Sequence, residues 1–453
     1  MTTINKIILG GVVTISLGVI GTPIVVNTQL EKLVKQEQSL LLKKGFILKE
    51  KQNKDNFFKA KREYILTIKD ISVLLKSWYP NMSEIDLDNL KKVFDNTKFL
   101  LQLNLDKYPV YQKDAIKIRL FKYNNYLNTI SQNDEIINQL LTKLQNQLEL
   151  NVDIDKMDIT KITLKDLSLK LANNKDNFLK FELKNNYLTF SDENILNIGS
   201  LDFDFEDLSY GQTTIKVDNV VYKYSKKDEF NYDTDLKINY VKYNVKGENF
   251  NNKLELNKIA IKNRVNTILH NLSLNDKIDI ENIDIHSSDI YRNDSIQIKN
   301  FMLNFDISKL YLPSLKTLVS EYSKPDGDSS KIDNSLKTIL NKGVVLKINP
   351  LSIKEIDINF SDKIKIDKFI VNFSSKLISN NIIPQSEIST INKFLSANLD
   401  IKTTQHNIDL ITKFNPMVLI YLSQIMTKDK DNNVLINLSY KNGKILSNGK
   451  QLF

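Results

Sequence analysis

The sequence predicts an α+β protein dominated by strands: an N-terminal transmembrane helix followed by an elongated, curved antiparallel sheet with several packing helices. Three observations predict it. The stretch Ile7 to Val26 carries no charge. From Leu148 onward, apolar residues recur with period two over most of the chain. Set among these alternations are segments with helical spacing, at 134–148, 310–340 and 416–425.

The uncharged stretch has the length of a membrane span. About 20 apolar residues, each rising roughly 1.5 Å, cross a hydrocarbon core of about 30 Å. A cleaved secretory signal shares the short basic start, here Lys6. It ends, however, after about 7–15 apolar residues at a small-residue site, whereas this run continues through Pro23-Ile24-Val25-Val26. No cysteine is present to carry a lipid. Lys32, Lys35, Lys43 and Lys44 behind the stretch outnumber Lys6 before it, but long domains are exported largely regardless of charge. The expectation is a membrane anchor at 1–27 with the amino end in the cytoplasm, and an exported domain at 28–453. That domain divides into a helical and strand part at 28–147 and a β-meander with C-terminal helices and hairpin at 148–453.

In chain order, Gln29 to Lys44 reads as a helix closed by Gly45. Phe46–Leu48 and Ala60–Leu75 read as extended, with a phase shift near Ile71. Ser83 is a plausible N-cap for a helix through Leu90, ahead of a Phe99–Leu105 segment. Asn133 or Asp134 can cap a helix whose face is Ile136, Ile137, Leu140, Leu141, Leu144 and Leu148. The period then becomes two at Leu150, Val152, Ile154, Ile162, Leu164, Leu167, Leu169 and Leu171. Phe178–Phe190 reads as a hairpin folded at Asn185-Asn186. Alternation continues at Leu201–Phe205, Ile215–Val217 and Leu236–Tyr240. Helices over 310–320 and 332–340 flank the turn Pro325-Asp326-Gly327. A strand from Val344 ends at Pro350, Ser386 or Ser389 begins a helix through Leu395, and Pro416 begins another. Asn442-Gly443 marks a closing hairpin.

Within the meander a short pattern recurs, two apolar alternations separated by two polar residues: LELNKIAI at 254–261, IDIENIDI at 278–285, IQIKNFML at 296–303 and IKIDKFIV at 364–371. Strict pleating would throw the second half of each onto the opposite face. A bulge in each strand restores the phase and bends the sheet. The apolar positions Ile278, Ile280, Ile296, Ile298, Ile364 and Ile366 are the candidate ligand groove. The spacing between copies is irregular, so this is not a repeat protein.

Composition supports a folded chain, with 41% hydrophobic residues, 21 Phe and 18 Tyr, and only 12 Gly and 8 Pro to form linkers. The charge of +9 does not point to nucleic acid. Arginine, the bidentate reader of phosphate and guanine, occurs only at positions 62, 119, 264 and 292, and the lysines alternate with acids on what reads as a solvated sheet face. Zero cysteine excludes disulfides and thiolate metal sites. His270, His286 and His406 stand far apart. Asp429, Asp431 and Asn433 begin like a calcium loop, but Val434 and Tyr440 occupy its glycine and glutamate positions. The run Asp202, Asp204, Glu206, Asp207 interleaves Phe203 and Phe205, as a wet strand face does. No nucleophile elbow, phosphate loop or dinucleotide fingerprint occurs. No catalytic residue, cofactor or metal is expected.

The ending Leu435-Ile436-Asn437-Leu438-Ser439-Tyr440-Lys441-Asn442-Gly443-Lys444-Ile445, with Asn448-Gly449 beyond it, resembles the carboxyl end of the YdgA-like family of bacterial proteins of unknown function. Gln29-Leu30-Glu31 resembles that family's start, with Asn27 where its glycine is usual, and Val344–Ser352 resembles its strand ending in Pro-Leu-Ser. The resemblance implies an inner-membrane anchor, a periplasmic β-rich domain and self-association, and it supplies no catalytic residues. Two functions fit. One is an envelope binding protein that holds lipid or another apolar ligand on a curved sheet. The other is a structural or assembly protein with the same face covered by its own helices. An enzyme ranks third.

Overall fold

The computed structural model describes residues 38–452, apart from 55–58, 80–81, 107–110, 156–157, 174–176, 192, 208–210, 229, 325–326, 361–362, 378–394 and 415. The expected fold class is corrected at its first element: no helix among the described residues is long and apolar enough to cross a membrane. What they form is antiparallel β-structure with packing helices, and the stretch 7–26 lies outside them. The chain divides into two compact units between Thr213 and Thr214.

The first unit contains β1 (Phe46–Asn53), β2 (Lys59–Ile68), α1 (Ile71–Trp78), α2 (Glu84–Phe94), β3 (Lys98–Asp106), β4 (Gln112–Lys122), α3 (Asn125–Asn133) and α4 (Glu135–Gln147). It continues through β5 (Glu149–Asp155), β6 (Asp158–Leu164), β7 (Leu167–Asn173), β8 (Asn177–Thr189) and β9 (Asn194–Asp207). Strands β1 to β6 pair in sequence order, every pair antiparallel. Strand β8 pairs with both β6 and β7 on one edge and with β9 on the other.

Local chemistry explains two expectations that fail and one helix that the sequence reading did not foresee. Ile71–Leu75 is helical, because Asp70 caps it: its carboxylate accepts the Ser72 N–H at 3.0 Å, and burial with the β2 strand ends at Ile68. A second unexpected helix, α3, starts at Asn124, whose Oδ1 accepts the Leu127 N–H at 2.9 Å. Asn185 does adopt positive φ, 57°, yet it turns no hairpin; β8 runs straight through it. Asn185 sits where the neighbour of β8 changes from β7 to β6, and opposite it stands Gly199, where a Cβ would lie 2.6 Å from the Asn185 Cβ. The kink and the missing side chain fit one another.

The core of this unit is filled. Strands β2 to β6 bury Ala60, Leu103, Leu105, Ile116, Val152, Ile154 and Ile162 in one cluster. Helices α1 to α4 close a second around Phe46, Leu66, Ile68, Leu87, Phe94, Leu127 and Leu141. Along β2, buried residues alternate strictly with less buried ones, the signature of a sheet with one face covered.

The second unit holds most of β10 (Gly211–Asp228), then β11 (Asn231–Lys246), β12 (Phe250–Ile268), β13 (Asn271–Asp289) and β14 (Asn293–Tyr311). The helical pair α5 (Leu312–Tyr322) and α6 (Ser329–Lys342) follows, with Asp328 capping α6. Next come β15 (Val345–Ile353), β16 (Glu355–Asn359), β17 (Lys363–Ile366), β18 (Phe369–Leu377) and β19 (Leu395–Thr403). Helices α7 (Gln405–Phe414) and α8 (Pro416–Ile425) lead to β20 (Met426–Lys428), β21 (Val434–Lys441), β22 (Lys444–Ser447) and β23 (Lys450–Gln451). Strand β15 does not stop at Pro350. The ladder shifts between Ile348 and Leu351, so the imino acid sits at an irregularity where no N–H is required. Asn442 and Gly443 both take positive φ, 51° and 78°, and fold β21 onto β22. The helix expected from Ser386 or Ser389 falls within 378–394, outside the described residues, as do the proline and aspartate of the 325–327 turn.

Candidate apolar ligand face

The register of the second unit decides which side chains meet. Tyr243, Leu254, Ile285, Ile296, Ile358 and Ile364 pair successively across β11, β12, β13, β14, β16 and β17. One rung inward, Val241, Leu256, Ile283, Ile298, Ile356 and Ile366 do the same. Cross-strand partners share a face, so these are two continuous apolar ladders on one side of the sheet. Of the six residues expected in the groove, Ile296 and Ile364 belong to the first ladder, and Ile298 and Ile366 to the second.

Ile278 and Ile280 lie beyond an interruption. Between the pairs Asn257↔Asn282 and Ile259↔Ile280, Lys258 and Glu281 leave the ladder; Asn239 and Asn300 leave it at the same level in the flanking strands. This corrects the expected mechanism. No strand carries a one-sided bulge here, and the register is unchanged on either side. Instead, neighbouring strands take the same extra step together, and with it goes the ground for expecting bulge-driven curvature. Lys258 and Asn300 adopt positive φ of 48° and 50°, and Asn219 in β10 does so at 51°. A left-handed residue at this point lets Leu256 and Ile259, three apart, continue on one face. The edge follows suit: β14 exchanges β15 for β16 at Lys354, whose N–H meets the Lys299 carbonyl at 3.0 Å. The fourth copy of the pattern breaks outright into β17 and β18.

Beyond the rung, Ile280 pairs with Ile259 and Phe301, while Ile278 joins Leu236, Ile261, Leu303, Leu351, Val371, Ile401 and Ile436. The far end of that ladder is covered, because Ile408 of α7 and Leu422 and Ile425 of α8 pack on Val434, Ile436 and Ile401. The six candidate isoleucines are all half-buried. The candidate set left out Leu254 and Leu256, which open the first copy of the pattern, and sequence reading passed over Ile356 and Ile358. Alternation in Glu355–Asn359 was the available signal, but only the register shows whom these residues meet.

The opposite face is charged. Glu355 accepts hydrogen bonds from Lys299 and from Lys365, the latter at 2.9 Å, and these hold its carboxyl down to about 2. Lys253 meets Glu255 at 2.9 Å, and the Tyr240 hydroxyl donates to Glu255 at 2.8 Å. A cavity of about 820 Å³ is lined by Lys253, Asp284, His286, Gln297, Asp357 and Lys365 of this side and also by Ile285, Ile296, Ile358 and Ile364 of the first ladder. Polar and apolar sides are thus separated by alternation alone.

Other sequence candidates resolve as structural groups. Asp429 organises the turn before β21, accepting the N–H groups of Asp431 and Asn433 at 2.9 Å each and the Lys402 ammonium at 2.6 Å. Lys180 spans from Asp202, at 2.7 Å, toward Glu182. Arg119 pairs with Glu149 and Arg264 with Asp233. His406 meets the Lys365 carbonyl at 3.0 Å, and the His270 carbonyl accepts the Leu312 N–H.

No family model, curated protein or solved structure matches the chain. The resemblance to the YdgA-like family therefore rests on 344–352, 435–449 and the short segment 29–31, which lies outside the described residues. In the structure the first is strand β15 and the second is the β21–β22 hairpin with its outgoing turn.

Proposed function

We propose that the second unit is a non-catalytic binding surface of the bacterial cell envelope, holding lipid acyl chains or another apolar ligand along the isoleucine ladders. One observation carries the reading. Through the middle of β12, β13 and β14, residues of both faces are half-buried, with Ile259 the one buried apolar residue there, so most of each face has no layer over it among the described residues. A β-branched face left in this state favours an apolar occupant. Covering the remaining half of each isoleucine contributes on the order of 1 kcal/mol. An assembly protein with a filled core would instead show the buried and exposed alternation of β2 on these strands.

The test is mass spectrometry of organic extracts from the purified full chain, beside the variant Ile283→Asn/Ile298→Asn. The expected result is a stoichiometric lipid on the parent chain that the variant loses while keeping its strand circular dichroism. A folded parent chain that carries no lipid, and takes none up from vesicles, would sink the proposal.

A further inference from the structure

A second cavity lies in the first unit and is independent of the isoleucine face. It occupies about 440 Å³ where the end of α2, the start of β3, the end of β4 and the start of α3 converge. Its charged lining is Lys91, Lys92, Lys98 and Lys122 against a single carboxylate, Asp95. Lys180, Lys299 and Lys402, by contrast, each have a carboxylate partner. Here Lys91 reaches Asp70 at 3.5 Å, while Lys92, Lys98 and Lys122 have no carboxylate in ion-pair range among the described residues.

The register makes this arrangement costly. Lys98 and Lys122 are direct cross-strand partners in the β3–β4 ladder, and like charges set opposite one another destabilise a sheet. Asp95 does little to relieve them. Its Oδ1 accepts the Ile71 N–H at 2.8 Å, and burial, with Asp70 nearby, raises its affinity for a proton. The cavity's base is fixed. Asn124 is buried, and its Nδ2 donates to the carbonyls of Lys92, Val93 and Asp95 while its Oδ1 caps α3. The Tyr123 hydroxyl donates to the Leu141 carbonyl at 2.8 Å. Four lysines therefore line a space that is already held open, with Asp95 the one carboxylate among its lining residues.

We propose that this cavity is a phosphate-binding site in which Lys92, Lys98 and Lys122, with Lys91 beside them, hold a phosphate dianion. Ammonium groups bind phosphate as point charges, without the planar fork of arginine, so several must converge. A dianion offsets the Lys98–Lys122 repulsion as a chloride in solution does not. The phosphate is either free inorganic phosphate or the monoester headgroup of a phosphorylated lipid, and the chemistry at the cavity is the same.

Calorimetry of the full chain with inorganic phosphate at pH 7.5, with ionic strength held constant by sodium chloride, tests the site. The expected result is saturable binding at one site per chain. Affinity should fall at least about tenfold in Lys98→Gln/Lys122→Gln, whose melting temperature without phosphate equals or exceeds the parent's because the opposed charges are gone. Lys92→Gln, an exposed position on α2 whose loss threatens no packing, should weaken binding several-fold by itself. Co-sedimentation with phosphatidylcholine vesicles containing phosphatidate separates the two sources. Sedimentation that inorganic phosphate competes away assigns the headgroup; a calorimetric signal without sedimentation assigns the free ion. Absence of saturable binding to either probe, or equal binding by parent and all variants, overturns the proposal.

Discussion

Strand β2 and strand β13 are both antiparallel, both alternate apolar with polar residues, and end in different environments. Along β2 every second residue from Ala60 to Ile68 is buried; along β13, of 19 residues, only Leu272 is. The difference lies in what stands over them. Four helices pack on the strands of the first unit around Phe46, Leu87, Phe94 and Leu127, whereas α5 and α6 contact β14, with α5 also meeting Phe230 and the His270 carbonyl at the strand ends, and α7 and α8 cover Val434 and Ile436 of β21. Alternation in sequence specifies that a strand has an apolar side. It does not specify that the side is dry.

The largest effect that can test this contrast is a cavity mutation on each side of it. Ile154 is 1% exposed. Ile154→Ala is expected to cost about 2–5 kcal/mol in denaturant unfolding, because it removes transfer energy and leaves a void. Ile298→Ala, on the half-exposed ladder, should cost about 1 kcal/mol or less while reducing retained lipid. Equal losses at the two positions would mean that the ladders are covered as thoroughly as the first core.

How much of this was legible in the sequence follows from the same contrast. The period-two pattern locates most of the strands of the meander but misses β4 before it and β16 and β19 within it, while Ser83, Pro416 and Asn442-Gly443 mark their elements because each signal is local. Asp70 and Asn124 are equally local caps. They were obscured by flanking apolar runs that read as continued strand at Ile71–Leu75 and as nothing in particular at Asn125–Asn133. The candidate isoleucines fall on real ladders, yet pairings such as Ile298 with Ile283 and Ile356 depend on registers set by chain tens of residues away. The lysine cavity was illegible for that reason too. Lys98 and Lys122 become neighbours only through the β3–β4 register.

Asn124 supplies the next largest effect. It joins α2 to α3 through three carbonyls and a cap, so Asn124→Ala should destabilise the first unit by about 2 kcal/mol and speed amide exchange in both helices. Smaller still is the in-step rung. Lys258 holds φ at 48° in β12, where Asn219 and Asn300 hold the same conformation in β10 and β14. Lys258→Asn should therefore be neutral within about 0.5 kcal/mol, whereas Lys258→Val, β-branched in a left-handed position, should cost about 1–2 kcal/mol. If valine is tolerated as well as asparagine, the rung is not held by backbone conformation.

The smallest effect concerns charge on the face opposite the isoleucines. Hydrogen bonds from Lys299 and then Lys365 lower the Glu355 pKa from 4.5 to about 2. A carboxylate whose folded pKa is depressed contributes stability above its unfolded value, and that contribution is lost as pH falls from about 4.5 toward 2. Both ammonium partners are open to solvent while the carboxylate is half-buried, and solvent at the lysines screens the interaction. Parent chain and Glu355→Gln should thus differ in melting temperature by about 2 °C or less at pH 6, and the gap should close by about pH 2. A gap that persists unchanged at pH 2 would show that Glu355 acts through packing rather than charge. The contrast between a filled first unit and a sheet whose sides are kept apart by alternation alone would then need another source for the polar side.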